Sequence, residues 1–142
     1  MVRVVPRKLP GSSLGLNPRS TPHLIQVLRQ GLPFRTLECL SMQSQIPVTE
    51  IASLIGIPPR TLARRKITGR LVLVESERLL RISRIFEFAV ALFQGGTLEA
   101  VTWLRSRSRA LDGSSPLAFA TTELGAREVE NLIGQLEYGV FP

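Results

Sequence analysis

The chain has 142 residues and a mass of 15.7 kDa; 44% of its residues are apolar, 20% are charged, and the net charge is +7. That length fits one compact domain or two very small ones, and the apolar fraction excludes wholesale disorder. A single cysteine, Cys39, excludes an intramolecular disulfide framework; with one histidine, His23, set among prolines, it also leaves no stock for a Cys–His zinc site or a convincing hydrolytic triad.

Residues 1–20 carry Pro, Gly, Ser and Arg without apolar periodicity and read as an extended or flexible arm. Thr21-Pro22 then opens a helix, with Thr21 as N-cap, Leu24, Val27 and Leu28 on one face, and Gly31 closing it. Pro33 starts a second short helix with Leu37 and Leu40 inward. Residues 49–56 form a third: Thr49 caps it, Glu50 suits the positive N-terminal dipole, and Gly56 ends it. Pro58-Pro59 belongs in a turn or a first helical turn, so a fourth helix begins near residue 59.

The longest pattern covers residues 75–93, where Leu79, Ile82, Phe86, Ala89 and Phe93 form a heptad-like seam widened by Ile85 and Leu92. The seam is either intrachain core or a dimer interface, with core the reading for most of it. Gly95-Gly96 ends the pattern. A short helix follows over residues 98–104, then a loop at 112–116 and one helical turn at 117–120. Thr122 caps a last helix with Val129, Leu132, Ile133 and Leu136 buried, and Gly139 ends it. Only residues 71–74 hint at alternation, so the chain reads as all-α. No apolar run approaches the ~18 residues a membrane span needs; the best, residues 82–93, is cut by Ser83, Arg84 and Glu87. The N-terminus has the acid-poor, Arg- and Ser-bearing bias of a transit peptide, but its prolines break the amphipathic helix one needs. The expectation is a cytoplasmic protein with no membrane contact and no cofactor.

Charge is uneven. Residues 1–37 carry +6, residues 38–72 carry +3, residues 73–94 balance, and residues 95–142 carry −2. A basic first half and a mildly acidic second half suggest two partners, the first a polyanion such as nucleic acid. Ile51-Ala52, Ile55-Gly56-Ile57 and Leu62 have helix-turn-helix spacing: a small residue where helices cross, a glycine for a left-handed turn, and aliphatics for a shared core. The second helix then offers Arg60, Thr61 and Arg64 to a major groove, with Arg65, Lys66 and Arg70 placed for phosphates. Arg65 stands where a buried aliphatic usually sits, a role that passes to Ile67 after a slight shift.

Gly31-Leu32-Pro33, Leu54-Ile55-Gly56-Ile57-Pro58, Arg60-Thr61-Leu62-Ala63-Arg64-Arg65, Gly69-Arg70-Leu71 and Glu75-Ser76-Glu77-Arg78-Leu79-Leu80-Arg81 together resemble the Xre/MbcA/ParS antitoxin family. The second half is similar too, at Trp103-Leu104, Pro116-Leu117, Gly125-Ala126-Arg127-Glu128-Val129 and Glu137-Tyr138-Gly139-Val140-Phe141. Asp112 departs from the family's frequent Gly, and Thr121 from its acidic or amide residue; residues 1–20 lie outside the resemblance. The resemblance implies a type II antitoxin without catalytic chemistry. It would neutralise a RES-domain toxin, which degrades NAD, and repress the shared operon by binding operator double-stranded DNA. Divided accordingly, residues 1–20 are the arm, 21–72 an Xre-like helix-turn-helix domain, 73–94 a connecting or dimerisation helix, and 95–142 a small helical toxin-binding domain. A homodimer is expected, because one helix-turn-helix covers one half-site.

For the second half, Tyr138, Gly139, Val140, Phe141 and Pro142 read as a thin apolar tail suited to the toxin's active-site mouth. The alternative folds Phe141 back onto Trp103 or Leu136. Arg127 is a further toxin contact by the resemblance, or pairs with Glu130 on a solvated face. Arg105, Arg107 and Arg109, two apart, cannot share a helix face and read as a solvated loop. A stand-alone helix-turn-helix regulator without a toxin partner is the competing reading of the whole chain.

Overall fold

The seam of Leu79, Ile82, Phe86 and Ala89 becomes the buried face of the longest helix in the fold, Leu73–Leu92. The structure, a computed structural model, describes residues 9–139. Their order is α1 (Thr21–Gln30), α2 (Phe34–Ser44), α3 (Val48–Leu54), α4 (Pro59–Thr68), α5 (Leu73–Leu92), α6 (Thr97–Arg105), α7 (Pro116–Phe119) and α8 (Glu123–Glu137), with 3-10 turns at Ser12–Leu14 and Arg109–Leu111. Among the described residues there is no strand, only an isolated antiparallel bridge between Pro33 and Arg70, and the protein is all-α. None of the described helices is long and apolar enough to cross a membrane.

One hydrophobic core runs through both halves. It joins Leu37 and Leu40 of α2, Ile51 of α3, Leu79, Ile85 and Ala89 of α5, Ala100 and Leu104 of α6, and Val129 and Ile133 of α8. The α5 seam is therefore intrachain core. At its end Phe93 meets Trp103, ring centroids 6.4 Å apart and planes tilted by 54°, an edge-biased contact that aromatic quadrupoles favour.

Two expected caps move, the first by one position and the second by two. Ser20, not Thr21, caps α1: its backbone is extended and its hydroxyl accepts from the His23 N–H at 3.2 Å. Thr49 lies inside α3, which starts at Val48 behind Pro47, whose ring presets the entry. Thr122 caps α8 by accepting from the Gly125 N–H at 3.1 Å. Asp112, the departure from a family glycine, has φ of 57°. The left-handed region explains why glycine is common there and why a short polar side chain substitutes.

The N-terminal segment corrects an expectation. Residues 11–16 are not an extended or flexible arm: Leu14 and Ser13 are each 2% exposed, and the turn packs against α2 and α5. Glu87 of α5 gathers the Ser13 hydroxyl at 2.5 Å, the Ser13 N–H at 3.1 Å and the Gly11 N–H at 3.3 Å. A carboxylate taking several donors is a strong local tie, and it replaces the periodicity a docked helix would have shown.

Candidate nucleic-acid and protein-binding surfaces

The α3–turn–α4 unit is built from its smallest residues. Ala52 is 1% exposed, and its carbonyl accepts from the Ile57 N–H at 2.8 Å, folding the turn back on α3. Gly56 has φ of +77°, and a Cβ there would lie 2.9 Å from Arg78 Nη1. The positive φ calls for glycine, and a side chain there would also displace the Arg78 tip. Arg78 of α5 uses that space to donate to the Ile55 carbonyl at 3.3 Å.

Past this turn, α4 buries none of its residues fully. An apolar groove of about 780 Å³ follows its inner flank, between Phe34, Val48 and Ala52 on one side and Leu62 on the other. Arg60, Arg64 and Lys66 are exposed, Thr61 is half-buried, and the three cations take no hydrogen bond or ion pair among the described residues.

Two of the expected phosphate-facing residues are engaged elsewhere. Arg65 turns inward to Glu75 of α5, Nε to Oε1 at 2.8 Å and Nη2 to Oε2 at 3.1 Å. Ile67 does not take over the inward position; it is 87% exposed. The ion pair fills the place an aliphatic would take, so no shift of register is needed. Arg70 reaches back to the Gly31 carbonyl at 2.8 Å, beside the bridge in which the Leu71 N–H donates to the Leu32 carbonyl.

Glu75 also accepts from the Val72 N–H at 3.0 Å, capping the start of α5. Burial opposes its charge, yet the hydrogen bonds from Arg65 and Val72 and the positive charges of Arg65 and Arg78 outweigh that and hold its carboxyl below its ordinary value.

The second surface lies on α8. Gly125, Ala126, Val129, Leu132 and Ile133 are buried, which leaves Leu124, Arg127, Glu128, Asn131, Gln135 and Tyr138 along the opposite stripe. Leu124 is 78% and Tyr138 60% exposed. A shallow groove between α7 and α8 flanks the stripe and includes Phe119, Leu124, Arg127 and Asn131. Leu124 was not singled out by residue chemistry; its signal was an apolar residue on the polar side of the α8 pattern. Arg127 approaches Glu123 at 3.7 Å rather than Glu130, which is taken by Arg84 of α5 at 2.6 Å. Arg105 pairs with Glu50 at 2.7 Å, while Arg107 and Arg109 are exposed. Gly139 is exposed with φ of 71°. Val140, Phe141 and Pro142 lie outside the described residues, as do both readings of Phe141.

Residues 23–84 match the family described as antitoxin Xre-like helix-turn-helix domain, and residues 88–139 match the antitoxin Xre/MbcA/ParS C-terminal toxin-binding domain. The chain belongs to the Xre/MbcA/ParS antitoxin family. Among relatives of this family, Antitoxin Xre of Yersinia enterocolitica serotype O:8 / biotype 1B is 39% identical over 119 residues, covering 83% of this chain and 80% of the relative. Antitoxin Xre of Photorhabdus laumondii subsp. laumondii is 33% identical over 129 residues, covering 90% and 87%. The Xre-like and toxin-binding regions meet between residues 84 and 88, inside α5, so the two parts share one helix.

Proposed function

We propose that this protein neutralises a RES-domain, NAD-degrading toxin in the cytoplasm and represses the operon encoding both by binding operator DNA as a homodimer. The observation that carries the reading is the division of exposed chemistry along one core: on α4, Arg60, Arg64 and Lys66 without a partner among the described residues, and on α8 a mixed apolar–polar stripe. Arg60, Thr61 and Arg64 meet base edges in the major groove and Lys66 meets phosphate. Arg65 and Arg70 support α4 from behind, Arg70 with nitrogens to spare for a phosphate. On the toxin side, Arg127, Tyr138 and Gly139 belong to the contact, Leu124 adds an apolar anchor, and Val140, Phe141 and Pro142 extend it toward the active-site mouth. The curated relatives named Antitoxin Xre support the neutralising role.

Co-expression with the protein encoded beside it tests the reading. Cellular NAD is expected to fall when the neighbouring protein is expressed alone and to be preserved when both are present, and the two proteins to co-purify with the operon's promoter duplex. NAD loss unaffected by this protein would overturn it.

A further inference from the structure

A helix that reads a groove must be held at a fixed height and rotation, and in most helix-turn-helix units buried aliphatics do this. Here α4 has no fully buried residue, and a groove of about 780 Å³ runs beneath part of it. Its C-terminal end is tied by the Gly69 carbonyl, which accepts from the Phe34 N–H at 2.9 Å. Along its length the polar tie among the described residues is Arg65 on Glu75, made through two parallel N–H···O bonds. Such a fork fixes direction as well as distance, which a lysine in the same place would not do.

Glu75 is itself held from several sides. It caps the Val72 N–H, and its neighbour Ser76 accepts from the Leu32 N–H at 2.8 Å. One turn on, Arg78 holds the Ile55 carbonyl at the end of α3, where the turn toward α4 begins. The first two turns of α5 therefore grip the α1–α2 connection, the turn before α4 and the middle of α4 together. Arg64 and Lys66, the residues on either side of Arg65, point to solvent.

We infer that Glu75 is a positioning residue for DNA readout: through its fork on Arg65 it sets the rotation of α4 so that Arg60 and Arg64, one turn apart, enter the groove together while Lys66 stands on the flank. This rests on the DNA-binding reading above. Glu75 touches no DNA, so its loss weakens discrimination between sequences more than attraction to phosphate.

The test uses full-length protein, a duplex it selects from a random-sequence pool, and a random duplex. Glu75→Gln removes the charge and Arg65→Lys keeps the charge but removes the fork. Each is expected to lower the affinity ratio of selected to random duplex about tenfold, a readable change in an equilibrium constant. The salt slope on the random duplex should stay unchanged, and amide exchange should quicken most in residues 59–70, beyond the uniform change that lower global stability brings. Discrimination equal to wild type in both variants would overturn the inference. So would exchange quickening throughout the chain with loss of binding to both duplexes, which would make the pair a general structural tie. If the wild-type protein enriches no sequence, the DNA-binding reading fails and the inference falls with it.

Discussion

Arg84 on α5 and Glu130 on α8 bring a guanidinium nitrogen and a carboxylate oxygen to 2.6 Å, with both atoms sealed from solvent. A single deletion there leaves the other charge in a poorly solvated site. Glu130→Ala is expected to lower unfolding free energy by about 1–3 kcal/mol, below the range for deeply buried pairs because both side chains keep some exposure. The double change Arg84→Met with Glu130→Leu should recover most of that, since an apolar pair of similar volume meets no desolvation penalty. Urea midpoints of the wild type and the two variants check both statements.

Two glycines of α8 should respond to alanine with opposite signs. A Cβ at Gly125 would overlap the Phe119 carbonyl oxygen at the end of α7, whereas one at Gly134 meets nothing within 4 Å. Gly125→Ala must push α7 off α8, and overpacking of this kind destabilises by about 1–3 kcal/mol. Gly134→Ala should stabilise by about 0.5–1 kcal/mol, through the helix preference of alanine and a less disordered unfolded chain. Thermal unfolding of the pair decides; equal effects in the same direction would show that the α7–α8 contact is looser than described.

The pH dependence of stability follows from Glu75. Its carboxyl is held below the unfolded value of about 4.3, so it contributes stability above that pH. As pH falls through the native value the contribution disappears, because the folded state must then take up the proton too. Arg65 stays protonated throughout. Glu75→Gln should therefore be less stable than the wild type near neutrality, with the gap closing on acidification. Parallel acid limbs in urea titrations from pH 7 to about pH 3 would contradict this.

The helices were legible where periodicity and punctuation agreed. Gly31 and Gly56 carry the positive φ that their turn positions called for, and the α5 seam is buried as its spacing required. Illegible were contacts that local pattern does not encode. Ser13 and Glu87 are 74 residues apart, and Arg105 and Glu50 are 55 apart. Nothing near either residue marks its partner. Arg65 misled for a different reason: a cation in a basic run reads as a phosphate ligand until the carboxylate waiting behind it is seen. The α8 stripe was half legible, because its motif drew attention to Arg127 while Leu124 was passed over as ordinary helix.

On the DNA side, exposure separates the basic residues into groups with different expected losses. Arg60→Ala and Arg64→Ala should each weaken binding to a preferred duplex by about 1–3 kcal/mol and relax preference at one position. Lys66→Ala should weaken all duplexes alike and reduce the slope of log affinity against log salt by about one unit. Arg107→Ala, outside α4 and exposed, should change neither. Fluorescence anisotropy across a salt series distinguishes the three behaviours, and an unaltered slope in Lys66→Ala removes that residue from the interface.

The exposed stripe of α8 allows a surface test that stability does not confound. Leu124 is 78% exposed and the Arg127 side chain 72% exposed, so neither supports the core. Leu124→Arg and Arg127→Glu should leave the unfolding free energy within about 0.5 kcal/mol of wild type, the usual range for surface changes. Each is expected to weaken toxin binding at least tenfold, or about 1.4 kcal/mol, if it lies in the buried centre of the contact. Removing residues 140–142 should abolish protection of NAD while DNA binding persists, since α4 and its supports are untouched. Full NAD protection by the truncated protein would confine neutralisation to the α7–α8 face; full protection by Leu124→Arg as well would move the contact off that face altogether.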